Sequence, residues 1–214
     1  MNQVQIFGVQ FSTYVRSTQL VCEEKGITYD ISFDVKGKNI EFKSAEHEQL
    51  HPFRRIPVLL HGDKVLCESI AIIRYLDANF DGPKLTPEDP WLAAQVDEWC
   101  QLIAMYINNA YVRDYILELV FPKGEGGKPR LDVIQQNKPA ALAALAILQQ
   151  QLGDKDYLIS NDFTLADAMA APSLYYACHL PEAFALVEEH SPLMAYAQRL
   201  QNRASGKVAL IPKA

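Results

Sequence analysis

The stretch HPFRRIPVLLHGDKVLCESIAIIRYLDANF, which runs from His51 to Phe80, decides the fold of this chain. Two short apolar runs, Val58–Leu60 and Val65–Cys67, flank a polar segment that contains a glycine, which predicts a β-hairpin. Apolar residues then recur at helical spacing up to the end of the stretch, which predicts a helix beginning near Ser69. The stretch therefore predicts a loop, a hairpin and a helix in that order.

The loop at the start of this stretch contains Ile56-Pro57. A residue before proline favours extended geometry, and the X-Pro bond is the one peptide bond for which the cis form costs little. An extended Ile56 could pair with a peptide ligand as an added strand. An ordinary trans proline in a loop is the alternative.

The pair Glu68-Ser69 lies between the hairpin and the helix. A hydroxyl and the free N–H groups at a helix start favour a carboxylate, and a glutamate one residue earlier could hold an amine. Together they suit the α-amino acid end of a ligand. The alternative is an ordinary helix start with Ser69 as its N-cap.

The composition restricts the classes of partner. The chain has 214 residues, 49% of them hydrophobic, a net charge of −6 and a pI of about 5.4. Because no Lys/Arg block stands out, nucleic acid and anionic membranes are not expected partners. No apolar run approaches the roughly 20 residues of a membrane helix, and the first residues lack a signal-peptide pattern. We expect a cytoplasmic protein.

The cysteines and histidines do not predict a metal site. The four cysteines are scattered, with no C-x-x-C motif, and lie among apolar neighbours, which favours buried structural thiols. The five histidines show no metal-ligand spacing. We expect no metal.

Ser12 follows the first predicted strand, Val4–Val9. A helix ending near Gly26 and a second strand, Ile27–Val35, come next, so the chain opens with a β-α-β unit whose strands should be parallel. Parallel sheets place ligands at the carboxyl ends of their strands, which puts Ser12 beside the expected site. Its hydroxyl could stabilise an anion there or could simply cap the helix.

The chain is expected to contain two domains. Residues 1–80 have an α/β pattern, residues 81–90 carry three prolines and a glycine and form the expected linker, and residues 91–214 are predicted to be helical. In the helical part, Asp89-Pro90 marks one helix start and Thr164 with Asp167 forms a capping-box variant. The helix marked by apolar residues from Ala141 to Leu152 has an uncertain start because of Pro139.

Five motifs carry a resemblance to a known family. The chain resembles the cytosolic glutathione transferases over essentially its full length, within the serine-type branch that includes phi, theta and many bacterial enzymes. The motifs are F-G-x-x-x-S-x-x-x-R (Phe7 to Arg16), E-E-K-G-I (Glu23 to Ile27), H-P-F-x-x-I-P-V-L (His51 to Leu59), E-S (Glu68, Ser69) and F-T-L-A-D-x-x-x-A-P (Phe163 to Pro172).

The resemblance implies a thioredoxin-like N-terminal α/β domain, an all-α C-terminal domain and glutathione as co-substrate, with a cis Ile56-Pro57. Ile56 would hold the cysteinyl backbone, and Glu68 and Ser69 would hold the γ-glutamyl end. Arg55, and as a second candidate Lys43, would hold the glycyl carboxylate. Ser12 would donate to the sulfur, with Tyr14 as the other hydroxyl available.

The resemblance also implies an activity, glutathione S-transferase, and a homodimer. The expected chemistry is attack of the glutathione thiolate on a small hydrophobic electrophile, in a pocket from the helical part around Met105, Tyr106, Asn109 and Tyr115. Thr13 and Arg54 depart from the residues common in the family. A non-catalytic binding or regulatory protein, or a specialised isomerase, dehalogenase or lyase, therefore stays as an alternative.

Overall fold

A computed structural model of the chain describes residues 3–212. Its contacts divide the chain into two compact units. The first unit comprises the residues up to Thr86 together with the segment that begins at Asn202, and the second spans Pro87–Gln201.

The first unit is built on a four-stranded mixed sheet in the order β2-β1-β5-β6. Strands β1 and β2 are parallel, whereas β5 pairs antiparallel with both β1 and β6. Helices α1 and α3 pack against each other. The elements before the linker are β1 (Gln3–Phe7), α1 (Thr13–Lys25), β2 (Thr28–Ser32), β3 (Asp34–Val35), β4 (Lys38–Asn39), α2 (Ala45–Leu50), β5 (Val58–His61), β6 (Lys64–Cys67) and α3 (Ser69–Asn79).

This arrangement is the thioredoxin-like α/β domain that the resemblance implies, with one local difference. The predicted strand Ile27–Val35 is interrupted, because β2 ends at Ser32 and β3 pairs instead with β4. Lys36 and Gly37 form the two-residue turn between β3 and β4. A small second hairpin therefore begins within the last two residues of the predicted strand.

The end of α1 follows the prediction. Gly26 adopts a left-handed conformation with φ of 63°, and its N–H donates to the carbonyl of Glu23. The N–H of Ile27 reaches the carbonyl of Cys22 at 2.9 Å. These two bonds satisfy carbonyls that the last helical turn leaves free.

The C-terminal segment packs with the first unit rather than with the helices before it. Helix α9 (Ala204–Ala209) packs on α1, and the Arg203 guanidinium donates two 2.8 Å hydrogen bonds to the Glu24 carboxylate. Arg16 is buried and donates to the Ile211 carbonyl at 2.7 Å. The sequence pattern places this segment in the helical domain, residues 91–214. In the structure its contacts place it in the α/β unit instead.

The second unit is helical, in agreement with the predicted fold class. Asp89 caps its first helix by accepting a hydrogen bond from the Leu92 N–H at 2.8 Å. Its helices are α4 (Pro90–Leu102), two π-helical stretches (Ile103–Ile107 and Asn109–Ile116), α5 (Leu117–Val120), α6 (Leu131–Leu152), α7 (Leu165–Cys178) and α8 (Pro192–Asn202), with short 3-10 turns at Glu125–Gly127 and Glu182–Phe184.

Helix α6 is longer than its apolar pattern indicates. It begins at Leu131 and continues through Pro139, whereas the apolar repeat begins only at Ala141. Most residues of its first turns are exposed, so they carry no apolar periodicity to predict from. Within residues 3–212, no helix combines the length and the hydropathy that a membrane span requires.

From a fully buried position, Asp167 connects the start of α7 to α8 and to the segment around Leu158. One carboxylate oxygen accepts from the Leu158 N–H at 2.9 Å and from the Tyr196 hydroxyl at 2.6 Å. The other accepts from both the N–H and the hydroxyl of Thr164 at 2.8 Å, which confirms the predicted capping box. Every donor would lose its acceptor if this carboxylate were removed.

We expect Asp167→Ala to lower the free energy of unfolding by about 3 kcal/mol, because it leaves several buried donors without an acceptor. Urea denaturation followed by circular dichroism measures this value. Tyr196→Phe is the matched control, since it removes a single donor and should cost about 1 kcal/mol. Equal losses in the two variants would contradict the central role of Asp167.

A second prediction concerns acid stability and the pair formed by Glu118 and Arg130. Two hydrogen bonds from the Arg130 side chain, of 2.9 and 2.6 Å, lower the pKa of Glu118 from its ordinary 4.5 to about 2. Because the pKa is lower in the folded state, the stabilisation is complete above about pH 4.5 and is lost as the pH falls toward 2.

We therefore expect wild type and Glu118→Gln to differ by a constant unfolding free energy at neutral pH, and this difference should shrink below pH 4.5. Denaturant titrations at a series of pH values measure it. Glu125→Gln is a control, because the side chain of this glutamate is exposed and its replacement should leave the stability below pH 4.5 unchanged. A difference that stays constant down to pH 2 would contradict the prediction.

Candidate functional site

Three loops leave the sheet at the same edge. Phe7 of β1 is paired with Val58 of β5, and Val58 is paired in turn with Cys67 of β6. The next residue in each loop is therefore Gly8 after β1, Pro57 before β5 and Glu68 after β6. The register brings together the segments that contain Ser12, Ile56 and Glu68.

Gly8 shows how closely two of these loops approach. A Cβ atom at this position would lie 2.6 Å from Cγ2 of Val15 and 3.5 Å from Cβ of Ile56. Real Cβ atoms do not approach a carbon to 2.6 Å, so only glycine fits without displacement. The loop that leads to Ser12 therefore packs directly on the loop that contains Ile56.

The Ile56-Pro57 peptide bond is cis. Ile56 is half-buried, and Pro57 is buried at the start of β5. The preceding turn is closed by the N–H of Arg54, which donates to the His51 carbonyl at 2.8 Å.

Ser12 occupies the N-cap position of α1 with an extended backbone, and its side chain makes no capping hydrogen bond. The alternative that the hydroxyl simply caps the helix is therefore not what the structure shows. The Ser12 carbonyl accepts from the Arg16 N–H at 2.9 Å, and the Arg16 Nε donates to the Gln10 carbonyl at 2.8 Å. The backbone around Ser12 is thus held, while the hydroxyl of this half-buried residue makes no capping hydrogen bond to the helix.

Glu68 and Ser69 lie at the start of α3, but Ser69 is not the N-cap residue of the alternative interpretation. Glu68 is the N-cap residue, with φ of 73°, and Ser69 is the first helical residue. The Glu68 side chain is 73% exposed, and its Oε1 lies 3.6 Å from Nε2 of the buried His51. Burial lowers the pKa of His51, although the nearby Glu68 carboxylate opposes this effect.

Lys43, Arg54 and Arg55 place exposed positive charge on the loops of the first unit. The Arg54 guanidinium lies 3.5 Å from the Lys43 carbonyl and 4.0 Å from the Glu48 carboxylate. The Lys43 Nζ lies 5.4 Å from the centre of the Phe42 ring. These cations stand out in a chain whose net charge is −6.

Three residues of this region have left-handed backbones although they are not glycine: Lys43 (φ 70°), Arg54 (φ 50°) and Glu68 (φ 73°). Such conformations are unfavourable for L-residues and concentrate at functional sites. They support the assignment of this region as the candidate site.

Of the residues expected to form the second-substrate pocket, Tyr115 is a core residue. It is fully buried, and its hydroxyl donates to the Phe184 carbonyl at 3.0 Å. Met105 and Tyr106 are exposed, and the Asn109 side chain donates to the Met105 carbonyl. Helical spacing alone could not separate the buried tyrosine from its exposed neighbours.

Sequence reasoning did not single out His47, which is completely buried in α2 beside the candidate site. It lies in a polar, charged segment without apolar periodicity, so no pattern indicated its burial.

The cysteines and the potential metal ligands add no further site. Cys22 and Cys100 are buried as expected, whereas Cys67 and Cys178 are only half-buried. Burial raises the pKa of Cys22 to about 12 and that of Cys178 to about 12. Between residues 3 and 212, no three His, Cys, Asp or Glu side chains cluster as metal ligands would.

Comparison with known proteins identifies the family. The glutathione S-transferase N-terminal domain matches residues 11–79, and the C-terminal domain matches residues 132–199. Glutathione S-transferase 1 of Triticum aestivum is 30% identical over 194 residues, which cover 86% of this chain and 83% of that protein. This chain belongs to the glutathione S-transferase family.

Solved glutathione S-transferase structures have the same fold. The theta-class enzyme from Xanthomonas axonopodis pv. citri, which has glutathione bound, aligns with a TM-score of 0.82 at 25% identity over 98% of each chain. Glutathione S-transferase III in its apo form aligns with a TM-score of 0.79 at 26% identity over 99% of each chain.

One further relative has a different name. The stringent starvation protein A homolog of Coxiella burnetii is 30% identical over 176 residues, which cover 82% of this chain and 76% of that protein. Similarity to this chain therefore extends to a protein that is not named a transferase.

We expect Arg54→Gly to raise the free energy of unfolding by about 1 kcal/mol, because glycine adopts the left-handed backbone without the penalty of an L-residue. Thermal or urea denaturation measures the change. Arg54→Ala is the matched control, since it removes the same guanidinium but keeps the unfavourable backbone. Equal stabilisation by both variants would attribute the effect to charge instead.

Proposed function

We propose that this member of the glutathione S-transferase family binds glutathione at the edge of its sheet and activates the thiol for attack on a small hydrophobic electrophile. The observation that carries the proposal is the row formed by Phe7, Val58 and Cys67, from which the loops with Ser12, Ile56 and Glu68 emerge side by side. The glutathione bound to the theta-class relative supports the choice of ligand.

In this proposal each part of the tripeptide meets a group of matching chemistry. The cysteinyl backbone pairs with Ile56 as an added strand. The γ-glutamyl carboxylate meets Ser69 and the free N–H groups at the start of α3, and its amine meets the exposed Glu68 carboxylate. The glycyl carboxylate meets Arg55, and Lys43 adds positive charge.

Ser12 would activate the sulfur by donating a hydrogen bond. A free thiol has a pKa of about 8.5 and is mostly protonated at neutral pH, whereas the thiolate is the nucleophile. A hydroxyl donor and the N–H groups at the start of α1 favour the anion. Since the Ser12 side chain does not cap the helix, its donor is available for this bond.

We further propose that the active form is a homodimer, since oligomers are most often twofold symmetric. The Phe53 side chain supports association because 76% of this large apolar residue is exposed. A panel of electrophilic substrates would identify the second substrate. The same panel would distinguish conjugation from a specialised isomerase, dehalogenase or lyase reaction.

We expect Ser12→Ala to raise the pKa of bound glutathione by about one to two units, because the thiolate loses its donor. The thiolate absorbance of bound glutathione, titrated against pH, measures this shift directly. Conjugation of a small aromatic halide at neutral pH should slow correspondingly.

Two variants separate the neighbouring hydroxyls. Thr13→Ala removes an adjacent hydroxyl and should leave the glutathione pKa unchanged, whereas Tyr14→Phe tests the alternative donor. A pKa that shifts with Tyr14→Phe and not with Ser12→Ala would move the role to Tyr14.

The second candidate is a glutathione-binding protein without turnover, which we consider because a relative 30% identical to this chain, the stringent starvation protein A homolog, is not named a transferase. Calorimetric titration with glutathione and a conjugation assay on the same sample distinguish the two. Binding with turnover supports the transferase, and binding without turnover against a panel of electrophiles supports the second candidate.

A further inference from the structure

His47 is completely enclosed within the first unit although it is polar. Its ring lies between two aromatic side chains, with centroid distances of 4.8 Å to Phe7 and 5.4 Å to Phe42. Its N–H donates to the hydroxyl of Ser44, which caps α2. Both the backbone and the ring plane of His47 are therefore held in place.

Both ring nitrogens of His47 bond to backbone atoms. The N–H of Lys43 donates to Nδ1 at 3.1 Å, and Nε2 lies 2.9 Å from the carbonyl oxygen of Arg55. Because Nδ1 accepts a hydrogen bond, the proton of the neutral ring is on Nε2, which donates to Arg55. The ring therefore bridges the backbones of Lys43 and Arg55, which are twelve residues apart in the chain.

The bridged residues are the two cations assigned above to the glycyl carboxylate. Neither Lys43 nor Arg55 forms an ion pair with a carboxylate in the part of the chain that the structure describes. Lys43 also has a left-handed backbone, and Arg55 directly precedes Ile56-Pro57. The His47 ring thus holds the backbones of two exposed cations close together, and a carboxylate that bound both cations would offset their positive charge.

We propose that His47 is a positioning residue for the carboxylate-binding pair, Lys43 and Arg55. It does not touch the ligand; it fixes the separation of the two backbones so that both cations face one anionic group. This inference deepens the proposed function and rests on it. A merely structural histidine would instead affect the binding of every part of the ligand alike.

The test compares glutathione with γ-glutamylcysteine, which keeps the γ-glutamyl and thiol groups but lacks the glycine. Calorimetric titration gives both dissociation constants for each variant. His47→Phe keeps an aromatic ring between Phe7 and Phe42 but removes both bridging bonds. We expect this variant to raise the dissociation constant of glutathione about tenfold and that of γ-glutamylcysteine less than twofold.

Two polar variants each keep one half of the bridge and cover the case in which His47→Phe does not fold. The amide of His47→Gln reaches the position of Nε2 and can donate to Arg55, and the amide of His47→Asn reaches that of Nδ1 and can accept from Lys43. Each variant should raise the dissociation constant of glutathione about threefold and leave that of γ-glutamylcysteine nearly unchanged.

His61→Phe is the matched control. This histidine also lies among aromatic rings, with Nδ1 2.8 Å from the Tyr75 hydroxyl, but it bonds to neither Lys43 nor Arg55. We expect its ratio of the two dissociation constants to equal that of wild type.

The outcomes separate the two proposals. If wild type binds glutathione and the His47 variants weaken both peptides equally, His47 is structural and this inference is wrong. If wild type binds neither peptide, the proposed function itself fails, and the inference fails with it. Selective loss of glutathione binding supports both.

Discussion

The antiparallel pairing of β5 with β1 is the constraint on which the candidate site depends. It sets Val58 opposite Phe7, and both side chains are completely buried. They belong to a core cluster with Ile40 and Leu60. Because side chains alternate between the two faces of a sheet, a one-residue shift in register would move this cluster to the face occupied by Ile6 and Leu59, which are also buried, and would move Pro57 away from Gly8. Burial of apolar surface thus fixes the relative positions of the loops.

The loops above this core combine unfavourable local conformations with charge. Arg54 and Glu68 adopt left-handed backbones, and Gly8 is packed too closely for any side chain. Each feature costs stability locally and persists only because the surrounding sheet and helices determine it. Such a distribution is expected where geometry is selected for binding rather than for folding.

Much of this architecture could be predicted because it depends on local patterns. The β5–β6 hairpin follows from two apolar runs around a glycine, and the position of Ser12 follows from the rule that parallel strands place ligands at their carboxyl ends. Thr164 and Asp167 indicated a helix start through their spacing alone. These signals are contained within a few neighbouring residues.

The remaining features depend on contacts between distant residues. The burial of His47 involves packing against Phe7 and Phe42, and the C-terminal segment joins the first unit through the packing of α9 on α1 and the ion pair between Arg203 and Glu24. The first turns of α6 were missed for a different reason. Most of their residues are exposed, so the sequence there has no apolar repeat that would indicate a helix. Neither kind of information is present in a sequence window.

The return of α9 to α1 has a consequence for synthesis of the protein. The first unit is discontinuous in the chain, since residues from Asn202 complete a unit whose other part ends at Thr86. Emerging from the ribosome, the N-terminal sheet can form early, but Glu24 stays without Arg203 until the whole helical unit has been translated. The domain that emerges first is therefore the last to be finished.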